Sequence, residues 1–125
     1  MNRQELLEAL EFVRTIDEDI PIQTLSVFLY VSVNGPQCKQ TDLTEWLGMA
    51  QSTVSRNVSY LSKRNRLGKA GLGLVESMEN PDDRRYKIVR LTPKGQKLAK
   101  LLDNLENVDG KLRLSDKKQV LGWKE

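Results

Sequence analysis

Six residues in one short stretch, Gln51, Ser52, Thr53, Ser55, Arg56 and Asn57, carry the hydrogen-bonding groups that read polar surfaces. Gln and Asn amides pair at two points with adenine and Arg with guanine, at roughly 1–3 kcal/mol of discrimination per good pair. Hydroxyls suit phosphate oxygens or single base-edge bonds. Interleaved with this set, Val54, Val58 and Leu61 recur at i, i+4 and i+7, which predicts a helix over about 51–62 that buries its apolar face. An ordinary solvent-facing helix would be richer in Glu and Lys, which form helices better than Ser, Thr and Asn. Further along, Asn80-Pro81-Asp82-Asp83 is strong turn chemistry and leads into Arg84-Arg85. Arginines at a hairpin tip can enter a narrow minor groove. The two sets together point to double-stranded DNA, with the helix in the major groove and a wing at 79–86 beside it.

The charge distribution agrees. Residues 1–48 carry eight acidic and three basic side chains (net −5), 49–102 four and twelve (net +8), and 103–125 five of each. A net charge of only +3 is thus polarised, with its positive field on the helix-and-hairpin segment. Lys63, Arg64, Arg66 and Lys69 extend that field as candidate phosphate contacts.

Other chemistries lack candidates. The chain has no His and one Cys, and it shows no paired-carboxylate or metal-ligand pattern, so neither catalysis nor a metal or cofactor is expected. Cys38 has only Lys39 as a neighbouring cation and reads as a small, partly buried side chain rather than a redox sensor. A lone cysteine, an N-terminus unlike a secretory signal and the lack of a ~20-residue apolar run suggest a cytoplasmic protein and no membrane partner. The glycines at 68, 71 and 73 imitate a phosphate loop, but a nucleotide loop follows a strand and opens a helix. This one follows a helix and opens a strand, and reads as a flexible cationic connection over 62–73.

Positioning these groups requires a frame. A helix over 3–16 is expected to bury Leu6, Leu10 and Val13, widened by Leu7. The next, about 21–33, starts at Pro21, stops at Asn34-Gly35-Pro36, and is apolar enough to be the buried centre. A third, about 39–47, carries Trp46 as a core anchor, and Gly48 supplies the turn into the polar helix, giving a helix-turn-helix. Strand-like 74–78 and 86–91 flank the turn. Thr92 then caps a fifth helix that begins at Pro93 and runs to about Leu105 with a leucine stripe. A short helix over 116–123 is a weaker expectation. The fold class is therefore mainly α with a small β-hairpin wing, a winged helix-turn-helix core at 22–95 within a single domain of 1–125.

Asp83-Arg84-Arg85 followed by Leu91-Thr92-Pro93-Lys94-Gly95, together with Gln51 to Arg56, closely resembles the motifs of the MarR-like winged helix-turn-helix regulators over about residues 22–105. The resemblance implies a homodimer held by the flanking helices, here 3–16 and 93–123. It also implies one wing arginine at DNA and the other paired to Asp82 or Asp83. A small aromatic effector is known among such relatives, though no residue set here requires one. This chain departs from the pattern at Ala50, which leaves Gln51 or Ser52 to cap the polar helix. Its connection from Leu61 to Leu74 is about seven residues longer than usual, and the stretch after the fifth helix is short. The function expected is a sequence-specific DNA-binding transcription regulator. The alternative is a winged-helix adaptor or inhibitor of another regulator, working through its acidic first helix or the tail carrying Trp123.

Overall fold

The computed structural model describes residues 1–63 and 68–105. Within them lie five helices, α1 (Arg3–Arg14), α2 (Ile22–Asn34), α3 (Gln40–Leu47), α4 (Gln51–Leu61) and α5 (Pro93–Asp103), and three strands, β1 (Cys38–Lys39), β2 (Val75–Asn80) and β3 (Asp83–Leu91). The expected helix at 116–123, Trp123, Arg64 and Arg66 lie outside the described residues. The chain divides into two compact units, Pro21–Gln96 and Met1–Ile20 with the chain from Lys97 onward.

In the first of these units α2 and α3 pack on α4, and β3 runs beside α2 and α3. Thr24, Val27, Phe28 and Val31 of α2, Leu43 of α3 and Val54, Val58 and Leu61 of α4 are all buried. The i, i+4, i+7 stripe on α4 thus faces the core as its spacing requires. Gly48 closes α3 at φ +63, the left-handed conformation that turns the chain into α4 without a Cβ penalty. The sheet is antiparallel in the order β1–β3–β2, with Cys38 opposite Val89 and Val75 opposite Leu91. The mainly α winged helix-turn-helix fold is as expected, with one strand more than the sequence suggests. A two-residue strand falls below the length at which alternation can be recognised.

Several expectations fail here. Trp46 is 73% exposed, because Leu43 fills the core position on α3 and the indole lies against Tyr30 instead. Helix α2 is buried on one face only, leaving Ile22, Leu29 and Val33 exposed. Gln51 and Ser52 do not cap α4: Ala50 occupies the cap position and offers no side-chain bond. The return limb of the long connection is not loose. Gly71 N–H donates to Lys63 O, Leu72 to Tyr60 O, Gly73 to Ser62 O and Leu74 to Leu61 O, at 2.7–3.1 Å.

The Thr-Pro-Lys-Gly motif is the clasp for that limb. Thr92 Oγ1 accepts from Gly95 N–H, capping α5, and donates to Gly73 O at 2.6 Å. Lys94 Nζ donates to Leu72 O at 2.8 Å, and partial burial holds its pKa below the usual lysine value. A Cβ on Gly95 would stand 2.0 Å from Leu74 O, so only glycine admits this approach.

In the other unit α1 is capped by Asn2, whose side chain accepts from Glu5 N–H at 2.8 Å. Its buried residues are Phe12 and Val13, whereas Leu6, Leu7 and Leu10 are 49%, 60% and 40% exposed. The stripe read from the sequence is real as a pattern, but within one chain only Val13 of it is covered. Leu98 and Leu105 are buried too.

Candidate nucleic-acid interface

A groove of about 760 Å³ joins the two predicted contact devices. Gln51, Ser52 and Ser55 of α4 form one wall and Arg85, Tyr86 and Lys87 of β3 another, with Gln40, Thr41 and Thr44 of α3 between them. The side chains around it are amides, hydroxyls and cations, with no carboxylate among them. The first turn of α4, where backbone N–H groups have no helical partner, opens beside Gln51 and Ser52.

Gln51, Ser52, Ser55 and Arg56 are exposed on α4, and Thr53 is half-buried. Asn57 is half-buried and engaged inside the protein: its Oδ1 accepts from Thr24 Oγ1 at 2.7 Å and its Nδ2 donates to Thr53 O at 3.0 Å. The Asn57 amide, expected to pair with adenine, here makes a bond between α2 and α4. Lys63 is exposed at the far end of α4 and does not line this groove.

The wing also differs in detail. Pro81-Asp82 makes the turn, with Asp82 N–H bonded to Asn80 Oδ1 at 3.0 Å. The register steps from Glu79 opposite Lys87 to Asn80 opposite Asp83. Arg84, Arg85 and Tyr86 thus form a bulge on β3 rather than the hairpin tip, and a bulge re-aims side chains. Asp83 holds Arg85 at two points, and this pairing keeps the Asp83 carboxyl below, and the Arg85 guanidinium above, its ordinary value. Two cations lie over the Tyr86 ring, Arg85 Cζ 5.6 Å and Lys39 Nζ 5.5 Å from its centroid. Arg84 is exposed and makes no ion pair with another described residue.

Sequence reasoning missed Gln40, Thr41, Thr44, Tyr86 and Lys87. The only signal for the α3 residues was Thr41 and Thr44 at i, i+3, which puts two hydroxyl side chains on one face. Cys38 is buried, and its thiol is pushed up to about 11 by desolvation and the Asp42 charge. Among the described residues no group of three or more His, Cys, Asp and Glu could hold a metal ion, and no helix is long and apolar enough to cross a membrane.

The family described as winged helix DNA-binding domain matches residues 23–95, and the chain belongs to it. Solved structures share its fold. A MarR-like transcriptional regulator from Thermotoga maritima is 28% identical, with 96% of this chain and 89% of that one covered at a TM-score of 0.56. MepR of S. aureus, solved as a complex with DNA, is 21% identical over 84% and 75%, at 0.63. RV1404 of Mycobacterium tuberculosis is 18% identical over 96% and 80%, at 0.65. No curated protein matches the chain by sequence. The architecture is that of the MarR-like regulators, in agreement with the motifs.

Proposed function

We propose that this protein is a sequence-specific, double-stranded DNA-binding transcription regulator. In this reading α4 enters the major groove and the wing, 79–86, meets the adjacent minor groove. The observation that carries it is the shared groove, since Gln51, Ser52 and Ser55 line the same surface as Arg85 and Lys87. A DNA strand running between two reading elements presents its phosphates to such a polar, cationic channel. The helix N-terminus adds unpaired N–H donors beside Ser52. Ser52, Thr53 and Ser55 then serve phosphates or single base edges, and Gln51 and Arg56 supply two-point base contacts. Arg84 is the wing cation free to enter the minor groove.

The functional unit is a homodimer formed through the flanking helices. Leu6, Leu7 and Leu10 form an exposed apolar stripe on α1, as a dimerising helix would require. A dimer sets two recognition helices about 34 Å apart and so selects a palindromic site. The discriminating experiment is selection from random duplex DNA, with oligomeric state measured in parallel for the native chain and Leu7→Glu. Enrichment of a palindrome by a dimer, lost together in Leu7→Glu, is the expected result. Absence of any enriched sequence would overturn the reading and favour an adaptor protein.

A further inference from the structure

Trp46 stands 73% exposed, yet it is not isolated. Its ring meets Tyr30 of α2 at a centroid distance of 5.4 Å and a tilt of 44°. Leu29 and Val33 are i, i+4 neighbours on α2, and Tyr30 and Val33 are i, i+3 neighbours, so these side chains adjoin one another. Leu29 is 41% and Val33 80% exposed, while the opposite face of α2 holds the buried Thr24, Val27, Phe28 and Val31. The result is one aromatic and aliphatic surface made by α2 and α3. Aromatic side chains dominate binding energetics at protein interfaces, and a contiguous exposed apolar patch marks such a site.

The surface has a sign. Tyr30's phenol is held above its ordinary value first by desolvation, and the carboxylates of Asp42 and Glu45 add to the shift. Asp42 and Trp46 are i, i+4 neighbours on α3. The one cation on the adjoining segment, Lys39, points its ammonium at Tyr86 on the wing side. An aromatic pair beside two carboxylates is the chemistry that receives a Lys or Arg side chain, through both cation–π attraction and ion pairing. At about 100° per residue, Trp46 lies about 120–160° around α3 from Gln40, Thr41 and Thr44, which line the nucleic-acid groove. Occupation of one face leaves the other open.

We propose that the Tyr30–Trp46 face of α2 and α3 is a docking surface for a basic segment of a partner protein, with a Lys or Arg side chain seated on the aromatic pair near Asp42 and Glu45. The site is separate from the DNA reading, and its test does not depend on that reading. A random peptide library is panned on the immobilised full-length protein, with counter-selection on Trp46→Ala. Enriched peptides are then synthesised and titrated by fluorescence anisotropy against the native chain, Trp46→Ala and Glu45→Lys. The expected result is enrichment of Lys- or Arg-bearing peptides whose affinity falls about tenfold or more in both variants, with the thermal unfolding midpoint unchanged. No enrichment overturns the proposal, as do acidic peptides or peptides indifferent to Glu45→Lys. A change in oligomeric state in Trp46→Ala also overturns it, because the face would then be an interface between copies of this chain.

Discussion

Asp83 aims Arg85. The guanidinium donates from Nε to Oδ1 at 3.0 Å and from NH2 to Oδ2 at 2.9 Å, while the Arg85 backbone N–H donates to Oδ1 at 3.1 Å. Arg84, between them in sequence, is left to the solvent. The bulge thus presents two neighbouring arginines in different states, one fixed beside Tyr86 and one with no ion pair among the described residues.

Replacing Asp83 by Asn separates aiming from charge. Simple Coulomb reasoning says that losing a carboxylate strengthens DNA binding. Loss of the two-point grip leaves Arg85 disordered, and we expect affinity for the selected duplex to fall several-fold. Tighter binding by Asp83→Asn, measured by anisotropy at fixed salt, would contradict this account. The pair also predicts a flat pH response. Its folded carboxyl pKa is depressed, so the contact is present above the unfolded value of about 3.9 and is lost only as pH falls through the lower folded value. Any change in DNA affinity between pH 8 and 5 must then come from another group.

Arg56 and Lys69 should divide specificity from affinity. Both are exposed, but Arg56 is on the polar face of α4 while Lys69 is in the connection beyond its C-terminal end. Arg56→Ala is expected to lower sequence preference, and Lys69→Ala to lower affinity for all duplexes alike. For the native chain, six or more phosphate contacts predict a log–log salt slope near about −5 or steeper. Equal loss of selectivity in both variants, or a flat salt dependence, would remove the electrostatic basis of the assignment.

What could be read from the sequence follows from which forces are local. The α4 stripe of Val54, Val58 and Leu61, the Gly48 turn and the Thr92 cap are set by periodicity or backbone chemistry within a few residues, and all are found as expected. The exposure of Trp46 is not legible, because helical spacing says which residues share a face but not which of two neighbouring apolar side chains, Leu43 or Trp46, reaches the core. The Asn57 bond is illegible for a similar reason: its partner Thr24 is distant in sequence, and only packing of α2 on α4 brings the two together. The bulge that separates Arg84 from Arg85 depends on cross-strand register, which no single segment encodes.

Gly95 and Gly48 are both required, for different reasons. A Cβ at Gly95 would collide with the Leu74 carbonyl at 2.0 Å, a backbone atom that cannot move without opening the clasp on the connection. At Gly48 nothing lies within 4 Å, and only the φ of +63 opposes a side chain. Gly95→Ala should therefore destabilise by about 3 kcal/mol or more, and Gly48→Ala by about 1–2 kcal/mol. Chemical denaturation distinguishes them, and equal losses would mean that the close approach at Gly95 relaxes freely.

The Thr24–Asn57 bond should behave as a buried pair. Thr24 is only 2% exposed, so Asn57→Ala leaves its hydroxyl without its partner, at about 1–3 kcal/mol. The double variant Thr24→Val, Asn57→Ala should lose less than the sum of the single variants, because no donor is then stranded. Additive losses in urea denaturation would show that the two residues do not act on each other. The base preference selected by Asn57→Ala should match that of the native chain, since the amide faces α2 and not the groove.

Cys38 should resist chemistry and make the fold alkali-sensitive. The thiol is 1% exposed and its pKa is raised from the ordinary 9.0 to about 11, first by desolvation and then by Asp42. A pKa raised in the folded state contributes stability that is fully present below the unfolded value and is lost as pH rises through the folded one. Unfolding free energy should accordingly decline from about pH 9 to about 11, and Cys38→Ala should flatten the part of that decline due to the thiol. At neutral pH the same burial keeps the reactive thiolate scarce, so a disulfide reagent should modify native protein far more slowly than urea-unfolded protein. DNA binding should survive mild peroxide. Rapid labelling of the native chain, together with loss of DNA binding on oxidation, would instead make Cys38 a redox-responsive group.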